Sequence, residues 1–316
     1  MQGQQIGDKM IISVVVSTYN GHDYLVEQLD SLRNQTIKID QVLIADDQSS
    51  DDTVKLAQAY IDKYKLDGWS VKVNAKNKGW RRNFMEAMWA SYGDLIFPCD
   101  QDDIWRNDKV EIMTKIMDQN PQINILSSDY CEFFEDGKEK IGPWPKENKL
   151  IKVPLTDNYL LVKSPGCTYC VRRELLELSK KYWLPEYPHD ALLWRLGLFS
   201  NTLYAVTDDL IKWRNHSTSA FAKESRDLKS VSAKKQWINT AKSFDETMRR
   251  YVEEDVSGDK QKQFEVLAQN DRWLAIRERF YNKKSVIDGL KLAKYWGCYP
   301  RKRQYLGDWY LVYIKK

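Results

Sequence analysis

Three carboxylates stand within four residues at the point where an apolar run of the sequence ends. The run is Leu95–Phe97, and Asp100, Asp102 and Asp103 follow it. Carboxylates this close repel one another and are costly to bury, so the cluster suits a place where a cation neutralises it. Hard cations such as Mg2+ take oxygen ligands, commonly one or two carboxylates together with substrate phosphates. The alternative is a solvated acidic turn ahead of a helix that starts near Asp108.

Four segments rich in apolar residues are predicted strands, the first of them nearly continuous and buried, and amphipathic segments between them are predicted helices. This alternation predicts an α/β fold with a mostly parallel sheet and right-handed crossovers. Ligands of such sheets bind beyond the carboxyl ends of the strands, where polar clusters follow the first, second and fourth runs. The predicted strands are Met10–Ser17, Gln41–Ala45, Trp69–Val73 and Asp94–Pro98.

Over the remainder of the chain, both strands and helices are predicted up to about residue 215, and only helices are predicted after it. Cys131–Asn158 contains several Gly and Pro residues and is predicted to be a long irregular segment, a kind of segment that is often functional. The division predicted is an α/β domain over residues 10–220 and a helical region over residues 221–316. Predicted strands are Ile123–Ser127, Cys167–Val171, Thr202–Val206 and Leu210–Arg214; predicted helices are residues 81–89, 107–119, 173–182, 190–199, 234–254, 260–280 and 285–296.

The charges are unevenly distributed along the 316 residues. The net charge is +4, yet residues 1–222 carry −5 and Arg272–Lys316 carries +9. The basic end is rich in Trp and Tyr, and its segment Lys291–Tyr313 suits either an anionic membrane surface, a helical lid or a dimer contact. No apolar run of about 18 residues and no signal peptide is found, which predicts a cytoplasmic protein, with peripheral attachment at the inner face of the cell membrane as the open alternative.

Several function classes are disfavoured by what the sequence lacks. Motifs of nucleic-acid-binding proteins are missing, so no nucleic-acid partner is expected despite the basic end. No GxGxxG follows the first strand, which argues against a dinucleotide oxidoreductase. The pair Cys167 and Cys170 has no second pair to complete a zinc ribbon.

The polar clusters, taken in order, resemble the nucleotide-binding half of family 2 inverting glycosyltransferases, which have the GT-A fold. The clusters are Ser17–Asn20, Asp46–Asp51, Asn77–Asn83 and Asp100–Asp103, and the resemblance covers about residues 10–220. Details resemble the rhamnosyltransferase branch of bacterial surface-polysaccharide synthesis: Asp100–Trp105, His189-Asp190 and Trp213–His216. The resemblance implies metal-dependent transfer of L-rhamnose from dTDP-L-rhamnose onto a saccharide or polyprenyl-linked acceptor.

The resemblance also implies roles for the charged residues that act on the diphosphate and the acceptor. Asp102 would hold Mg2+ or Mn2+ against the diphosphate, and Asp100 would lie nearer the ribose. His216 would complete the metal site or contact the diphosphate, although a structural role remains the alternative. Asp190 would be the catalytic base, with helix capping or a base role for His189 as the competing interpretations.

The nucleotide would be held by residues at the ends of the early strands. Asp47 corresponds to the aspartate that accepts a hydrogen bond from the pyrimidine N3–H, and its alternative is an Asx-turn or helix cap. Ser50 is predicted to cap the next helix, and Gln48 replaces a usual glycine, so the turn must avoid a positive φ or use another residue. The other residues assigned to the nucleotide sugar are Thr18, Tyr19, Asn20, Arg82 and Arg214.

Two other functions stay open at this point. Uracil and thymine share the edge that Asp47 would read, so a donor such as UDP-galactose or UDP-N-acetylglucosamine is the nearest rival. A non-catalytic nucleotide-sugar binding protein is the alternative of another class, and the presence of both Asp102 and Asp190 argues against it.

Overall fold

The structure is a computed structural model that describes residues 10–134, 136–146, 149–215, 230–256 and 259–315. Ten strands form one sheet, whose main path runs β3-β2-β1-β4-β9-β6-β10-β5, with β7 beside β6 and β8 beside β10. The strands are β1 Ile12–Thr18, β2 Gln41–Asp46, β3 Trp69–Val73, β4 Leu95–Asp100, β5 Ile104–Trp105, β6 Ile125–Phe134, β7 Glu139–Ile141, β8 Leu150–Lys152, β9 Tyr169–Arg172 and β10 Leu203–Asn215. The α-helices are α1 His22–Arg33, α2 Thr53–Tyr64, α3 Trp80–Ala90, α4 Lys109–Gln119, α5 Arg173–Tyr182, α6 His189–Phe199, α7 Val231–Glu254, α8 Lys260–Lys283, α9 Val286–Lys291 and α10 Arg303–Trp309.

The first four strands are parallel and bring three polar clusters to one edge of the sheet. In the register of β1 with β2, Thr18 lies opposite Asp46. In the register of β1 with β4, Ser17 lies opposite Asp100. The prediction of a mixed α/β fold with a mostly parallel sheet over this half is therefore confirmed.

The sheet is buried on both faces. Val14 and Val16 of β1 belong to the apolar cluster under α1, α2 and α4, whereas Val15 belongs to the cluster under α3, α5 and α6. Side chains alternate between the faces of a strand, so a run of buried valines supplies both clusters.

The C-terminal helices extend the second of these clusters. Met248 of α7 and Trp273 of α8 are fully buried and belong to the same apolar cluster as Leu192 of α6 and Val15 of β1. The helical region therefore packs on the face of the sheet that also carries α3, α5 and α6.

Some predicted element bounds were wrong in the second half of the sheet. β6 runs to Phe134, and β7 and β8 lie within the segment predicted to be irregular. The two short strands predicted at Thr202–Val206 and Leu210–Arg214 are one strand, β10, with register shifts between Val206 and Lys212. Parallel pairing of β6 with β10 supplies backbone hydrogen bonds through polar sequence that has no strand signal of its own.

The end of the chain is more broken than predicted. Instead of a helix over Ser285–Trp296, α9 is followed by a 3₁₀ segment at Leu292–Cys298 in which Tyr295 leaves helical geometry. Gly297 and Pro300 disfavour a continuous helix here. Among the described residues, no helix has the length and apolar character needed to cross a bilayer.

Candidate active site

The carboxylate cluster forms where β4 ends. Asp100 is the last residue of β4 and is half-buried, whereas Asp103 in the following turn is fully buried. The Cys167 sulfur, from the segment before β9, and one oxygen each of Asp100 and Asp103 all lie within 4.8 Å of one another. The sequence analysis placed Asp103 in the carboxylate cluster but gave it no role of its own, and nothing in the local sequence around Cys167 indicated that its sulfur would lie here.

Burial and mutual repulsion shift the titration of this cluster. Burial, and then the charge of Asp102, raise the pKa of Asp100 to about 7. The same two causes raise the pKa of Asp103 well above its usual range. Burial also raises the pKa of the Cys167 thiol. Hard cations such as Mg2+ take oxygen ligands in preference to sulfur.

The donor atoms fit a hard divalent cation. Asp103 Oδ1 accepts the Arg214 N–H at 3.0 Å, but its buried Oδ2 has no hydrogen-bond partner. A buried carboxylate oxygen without a partner next to a second carboxylate favours a cation over two bare charges. Asp100 and Asp103 are therefore two residues whose positions fit such a cation, and both are close in sequence to Asp102, to which the sequence analysis assigned it.

A buried lysine lies beneath the cluster. Lys109 is fully buried, its Nζ donates to the Cys167 carbonyl at 2.6 Å, and it stands 3.5 Å from the centre of the Trp105 ring. Burial lowers the pKa of Lys109 to about 8, so it is charged at neutral pH. Its positive charge offsets part of the repulsion among the carboxylates.

Gln101 clamps the loop after β1 to the carboxylate turn. Its Oε1 accepts the Tyr19 N–H at 2.8 Å and its Nε2 donates to the Tyr19 carbonyl at 3.2 Å. A Cβ at position 21 would lie 2.2 Å from Gln101 Oε1, so Gly21 is required for this approach. The exposed Tyr19 ring is thus held beside the carboxylates through its backbone.

Thr18 and Asn20 join the ends of β1 and β2. The Thr18 hydroxyl is buried and donates to Asp46 Oδ2 at 2.8 Å. Asn20 has a φ of 48°, and its Oδ1 accepts the Ser50 N–H at 2.8 Å. The Thr18 and Asn20 side chains therefore already have hydrogen-bond partners within the protein, and they fix the loops at the ends of β1 and β2.

Asp47 is buried and accepts three hydrogen bonds from the loop after β3. Its Oδ1 accepts from the Lys78 N–H at 2.8 Å and from Asn74 Nδ2 at 2.9 Å, and its Oδ2 accepts from the Gly79 N–H at 2.8 Å. These contacts do not form a cap of α2, and with three of its about four acceptor positions used, Asp47 keeps one on Oδ2. They hold together the loop after β2 and the loop after β3.

The turn after Asp47 departs from two expectations. Gln48 does adopt a positive φ of 65°, and it is held there because its Oε1 accepts the Asn77 N–H and its Nε2 donates to the Ala75 carbonyl. Ser50 does not cap α2; instead, Asp51 Oδ1 accepts the Thr53 N–H at 3.0 Å. The Ser50 N–H and hydroxyl both donate to Asn20 Oδ1 in the loop after β1.

The two arginines assigned to phosphate have different surroundings. The Arg214 Nε donates to the Asp102 carbonyl at 2.7 Å, and its Nη2 pairs with Glu27 at 2.5 Å, so it braces the carboxylate turn. Arg82 on α3 is exposed, with Glu86 at 3.8 Å and the Trp183 ring nearby. His216, the other predicted metal ligand, lies outside the described residues.

Asp190 lies in the first turn of α6, close enough to the carboxylate cluster for its charge to contribute to the raised pKa of Asp100. It is half-buried, and its Oδ1 accepts the Ala191 N–H at 2.7 Å. The adjacent His189 is buried with its ring centre 4.2 Å from that of Phe84, and burial lowers its pKa. Of the two, Asp190 is therefore the one with solvent access and a charge that acts on the cluster.

Comparison with known proteins shows the family of the chain. The family model described as "Glycosyl transferase family 2" matches residues 13–177. The "dTDP-rhamnosyl transferase RfbG" of Shigella flexneri is 26% identical over 175 residues, which are 53% of this chain and 57% of that protein. The chain thus spans little more than half the length of this curated relative.

Solved structures are similar over nearly the whole chain. TarS residues 1–349 of S. aureus in complex with UDP has a TM-score of 0.58 at 19% identity, covering 96% of this chain and 81% of that one. The mannosyltransferase PcManGT from Pyrobaculum calidifontis, in complex with GDP-Man and Mn2+, has a TM-score of 0.57 at 13% identity, covering 98% and 89%. These likenesses show the fold, which is GT-A.

Proposed function

Because the chain belongs to glycosyl transferase family 2, we propose that it is a metal-dependent inverting glycosyltransferase acting on a nucleotide sugar. The donor we favour is dTDP-L-rhamnose, and the acceptor is a growing cell-surface polysaccharide or a lipid-linked saccharide. The similarity to the dTDP-rhamnosyl transferase of Shigella flexneri supports this donor. A polyprenyl-linked acceptor would place the enzyme at the inner face of the cell membrane.

One observation carries the proposal. Three carboxylates lie at the carboxyl end of β4, and the charge of Asp190 from α6 acts on the same cluster. A metal-bound diphosphate and a general base must lie on either side of the sugar carbon for a displacement with inversion. The arrangement supplies both kinds of group within one cleft.

In the proposed reaction, Asp190 accepts the proton of the acceptor hydroxyl while that oxygen forms a bond to the anomeric carbon. The bond from this carbon to the diphosphate oxygen breaks, and the nucleoside diphosphate leaves. A divalent cation, when bound by Asp100, Asp102 and Asp103, would act as a Lewis acid toward the leaving diphosphate.

The pyrimidine would bind between the loops that Asp47 joins. Tyr19, held by Gln101, is exposed at this place and offers a ring for stacking. Asp47 would meet the N3–H of the base, and Thr18 and Asn20 would shape the pocket around it. Arg82, exposed on α3, would be available to a phosphate oxygen, whereas Arg214 would act by bracing the carboxylate turn.

A UDP-sugar is the second candidate donor. TarS has been solved in complex with UDP and with UDP-GlcNAc, so pyrimidine nucleotides bind a protein of this fold. Thymine and uracil differ at C5, on the opposite side of the ring from the edge that Asp47 would read. The same residues therefore support either donor.

A calorimetric panel tests the proposal. Titration of dTDP-L-rhamnose, UDP-galactose, UDP-N-acetylglucosamine and GDP-mannose with Mg2+ or Mn2+ should show tightest binding of dTDP-L-rhamnose. Asp102→Asn should weaken this metal-dependent binding and nearly abolish transfer. Asp67→Asn is the control and should change neither, because Asp67 is exposed and is not part of the carboxylate cluster. Full activity in excess EDTA together with an active Asp102→Asn enzyme would refute metal dependence.

A further inference from the structure

The last part of the chain exposes a concentration of apolar side chains. Eight of the seventeen large apolar side chains that are exposed among the described residues lie between residues 286 and 314. Monomeric soluble proteins seldom expose contiguous apolar patches, and such patches mark interaction surfaces. Six of these side chains, which we call the terminal face, are Val286, Ile287, Leu290, Leu306, Tyr310 and Ile314.

The terminal face belongs to two elements that pack against each other. On α9 its residues recur at positions 286, 287 and 290. On α10 and the π-helical segment Tyr310–Ile314 that continues it, they recur at 306, 310 and 314, every fourth residue. Gly289 of α9 lies so close to Trp309 of α10 that a Cβ would approach the indole ring to 2.4 Å. The Tyr305 hydroxyl also donates to the Gly289 carbonyl at 3.3 Å. The two apolar stripes therefore lie on neighbouring elements.

Within the segment that carries the terminal face, every exposed charged side chain is positive. The described segment 283–315 contains eight Lys and Arg residues, and all of them are exposed. Its two acidic residues, Asp288 and Asp308, are buried and paired with Arg279 and Arg277. Folding thus removes both negative charges from the surface of this segment and leaves the basic residues, which are Lys283, Lys284, Lys291, Lys294, Arg301, Lys302, Arg303 and Lys315.

We infer that the terminal face docks onto an anionic lipid bilayer. Exposed aliphatic side chains that enter the headgroup region, surrounded by Lys and Arg that attract anionic lipids, are the features of interfacial membrane binding. A second copy of the chain fits this surface poorly, since it would oppose eight positive charges to eight more. The inference stands on exposure and charge alone and would hold for any donor sugar.

The structure also identifies which residues of the basic aromatic end are available to lipid. Tyr299 is buried, and Trp309 packs against Phe280 of α8 with ring centres 5.2 Å apart. These aromatic side chains therefore stabilise the fold instead of facing lipid. The contact with the bilayer is made by the aliphatic residues, with Tyr310 and the half-exposed Trp296 at its edge.

Vesicle flotation of the full chain tests the inference. Vesicles of phosphatidylcholine with about one third phosphatidylglycerol should carry the protein at low salt, and pure phosphatidylcholine should carry about tenfold less of it. Raising the salt to about 0.5 M should weaken the binding because the Debye length falls well below 10 Å. Equal recovery on both vesicle types at low salt, or no recovery on either, would overturn the inference.

Matched substitutions locate the contact. Ile287→Ser with Leu290→Ser should lower the partition onto anionic vesicles about tenfold or more, and Lys291→Glu with Lys294→Glu should do the same. Ile141→Ser is the control, because Ile141 on β7 is 67% exposed and Ile287 is 66% exposed. Thermal melting should be unchanged in all of them, since the altered side chains are exposed.

Two results would contradict this assignment. Ile141→Ser could reduce vesicle binding as much as the Ile287→Ser, Leu290→Ser protein, in which case the terminal face is not the contact. Sedimentation velocity could show that the wild type is a dimer that these substitutions dissociate, in which case the face binds a second copy. Binding of nucleotide sugar by the same variants should stay at the wild-type level, which separates this inference from the proposed donor specificity.

Discussion

Asp190 has two possible functions that one substitution separates. It accepts a hydrogen bond from Ala191 in the first turn of α6, as a structural residue would, yet its charge reaches the carboxylate cluster. Asp190→Asn should keep the hydrogen bond to the helix and lower the transfer rate by about 100-fold or more, through loss of the general base. Calorimetry should show donor affinity close to wild type. A donor affinity that falls as far as the rate would make Asp190 a binding residue.

Asp47 is a second residue at which structure and ligand binding must be distinguished. Asp47→Ala should weaken dTDP and UDP alike, by about 1–3 kcal/mol for a hydrogen bond to a charged group. Asp47→Asn is the matched variant, because it can still accept from the loop after β3 although it loses the charge. Unchanged nucleotide affinity in folded Asp47→Ala would limit the residue to its contacts with Lys78 and Gly79.

At the scale of elements, the site depends on loops held by side chains from distant segments. Gln101 joins the ends of β1 and β4, and Asp47 joins the end of β2 to the loop after β3. The sequence analysis assigned no such role to Gln101. Its position between two carboxylates gave no indication of the backbone that it would meet.

The helix pair α7–α8 contains a buried acid whose titration should affect stability. Asp245 of α7 accepts from the Tyr159 hydroxyl at 2.7 Å, and burial, followed by its hydrogen bond with Asp271, raises its pKa to about 8. The folded protein therefore keeps a proton that the unfolded chain releases near pH 4. Stability should fall as pH rises from about 4 to about 8, since the unfolded state binds fewer protons there.

Asp245→Asn should remove this part of the pH dependence. Asparagine can still accept from Tyr159, and it carries no charge at any pH. Calorimetric melting at pH 5 should give similar Tm values for wild type and variant, whereas at pH 8 the variant should melt higher by about 2 °C or more. Parallel Tm curves for the two proteins between pH 5 and pH 8 would show that Asp245 does not titrate in this range.

At the scale of the whole molecule, the end of the chain is part of the fold. Asp308 of α10 pairs with Arg277 of α8 through two hydrogen bonds of 2.7 and 2.8 Å, and both side chains are buried. Tyr281 and Tyr299 donate to the same carboxylate. The inner side of this region is therefore a structural contact, while its outer side carries the exposed apolar and basic residues.

Breaking this pair should destabilise the protein strongly. Asp308→Asn should cost about 3–5 kcal/mol in the free energy of unfolding, because it leaves Arg277 buried without a counter-charge. Removal of every residue after Tyr281 should lower the free energy of unfolding by at least as much. Urea unfolding measures this free energy for both proteins. Arg277→Met with Asp308→Leu is the matched control and should be less destabilised than Asp308→Asn. An Asp308→Asn protein as stable as the wild type would contradict this account.

Local sequence patterns were sufficient to predict the succession of strands and helices over residues 10–100, the four polar clusters and the family that they resemble. Buried parallel strands and the residues at their ends are local features, so periodicity and spacing reveal them. Tertiary contacts determine three other features: the environment of Asp245, the proximity of Cys167 to Asp103, and the length of β10. The sequence did not predict them because each depends on segments that are far apart in the chain. The same reason holds at the basic end. Which of its aromatic and apolar side chains are buried follows from where α9 and α10 pack on α8, and an amphipathic pattern does not contain that information.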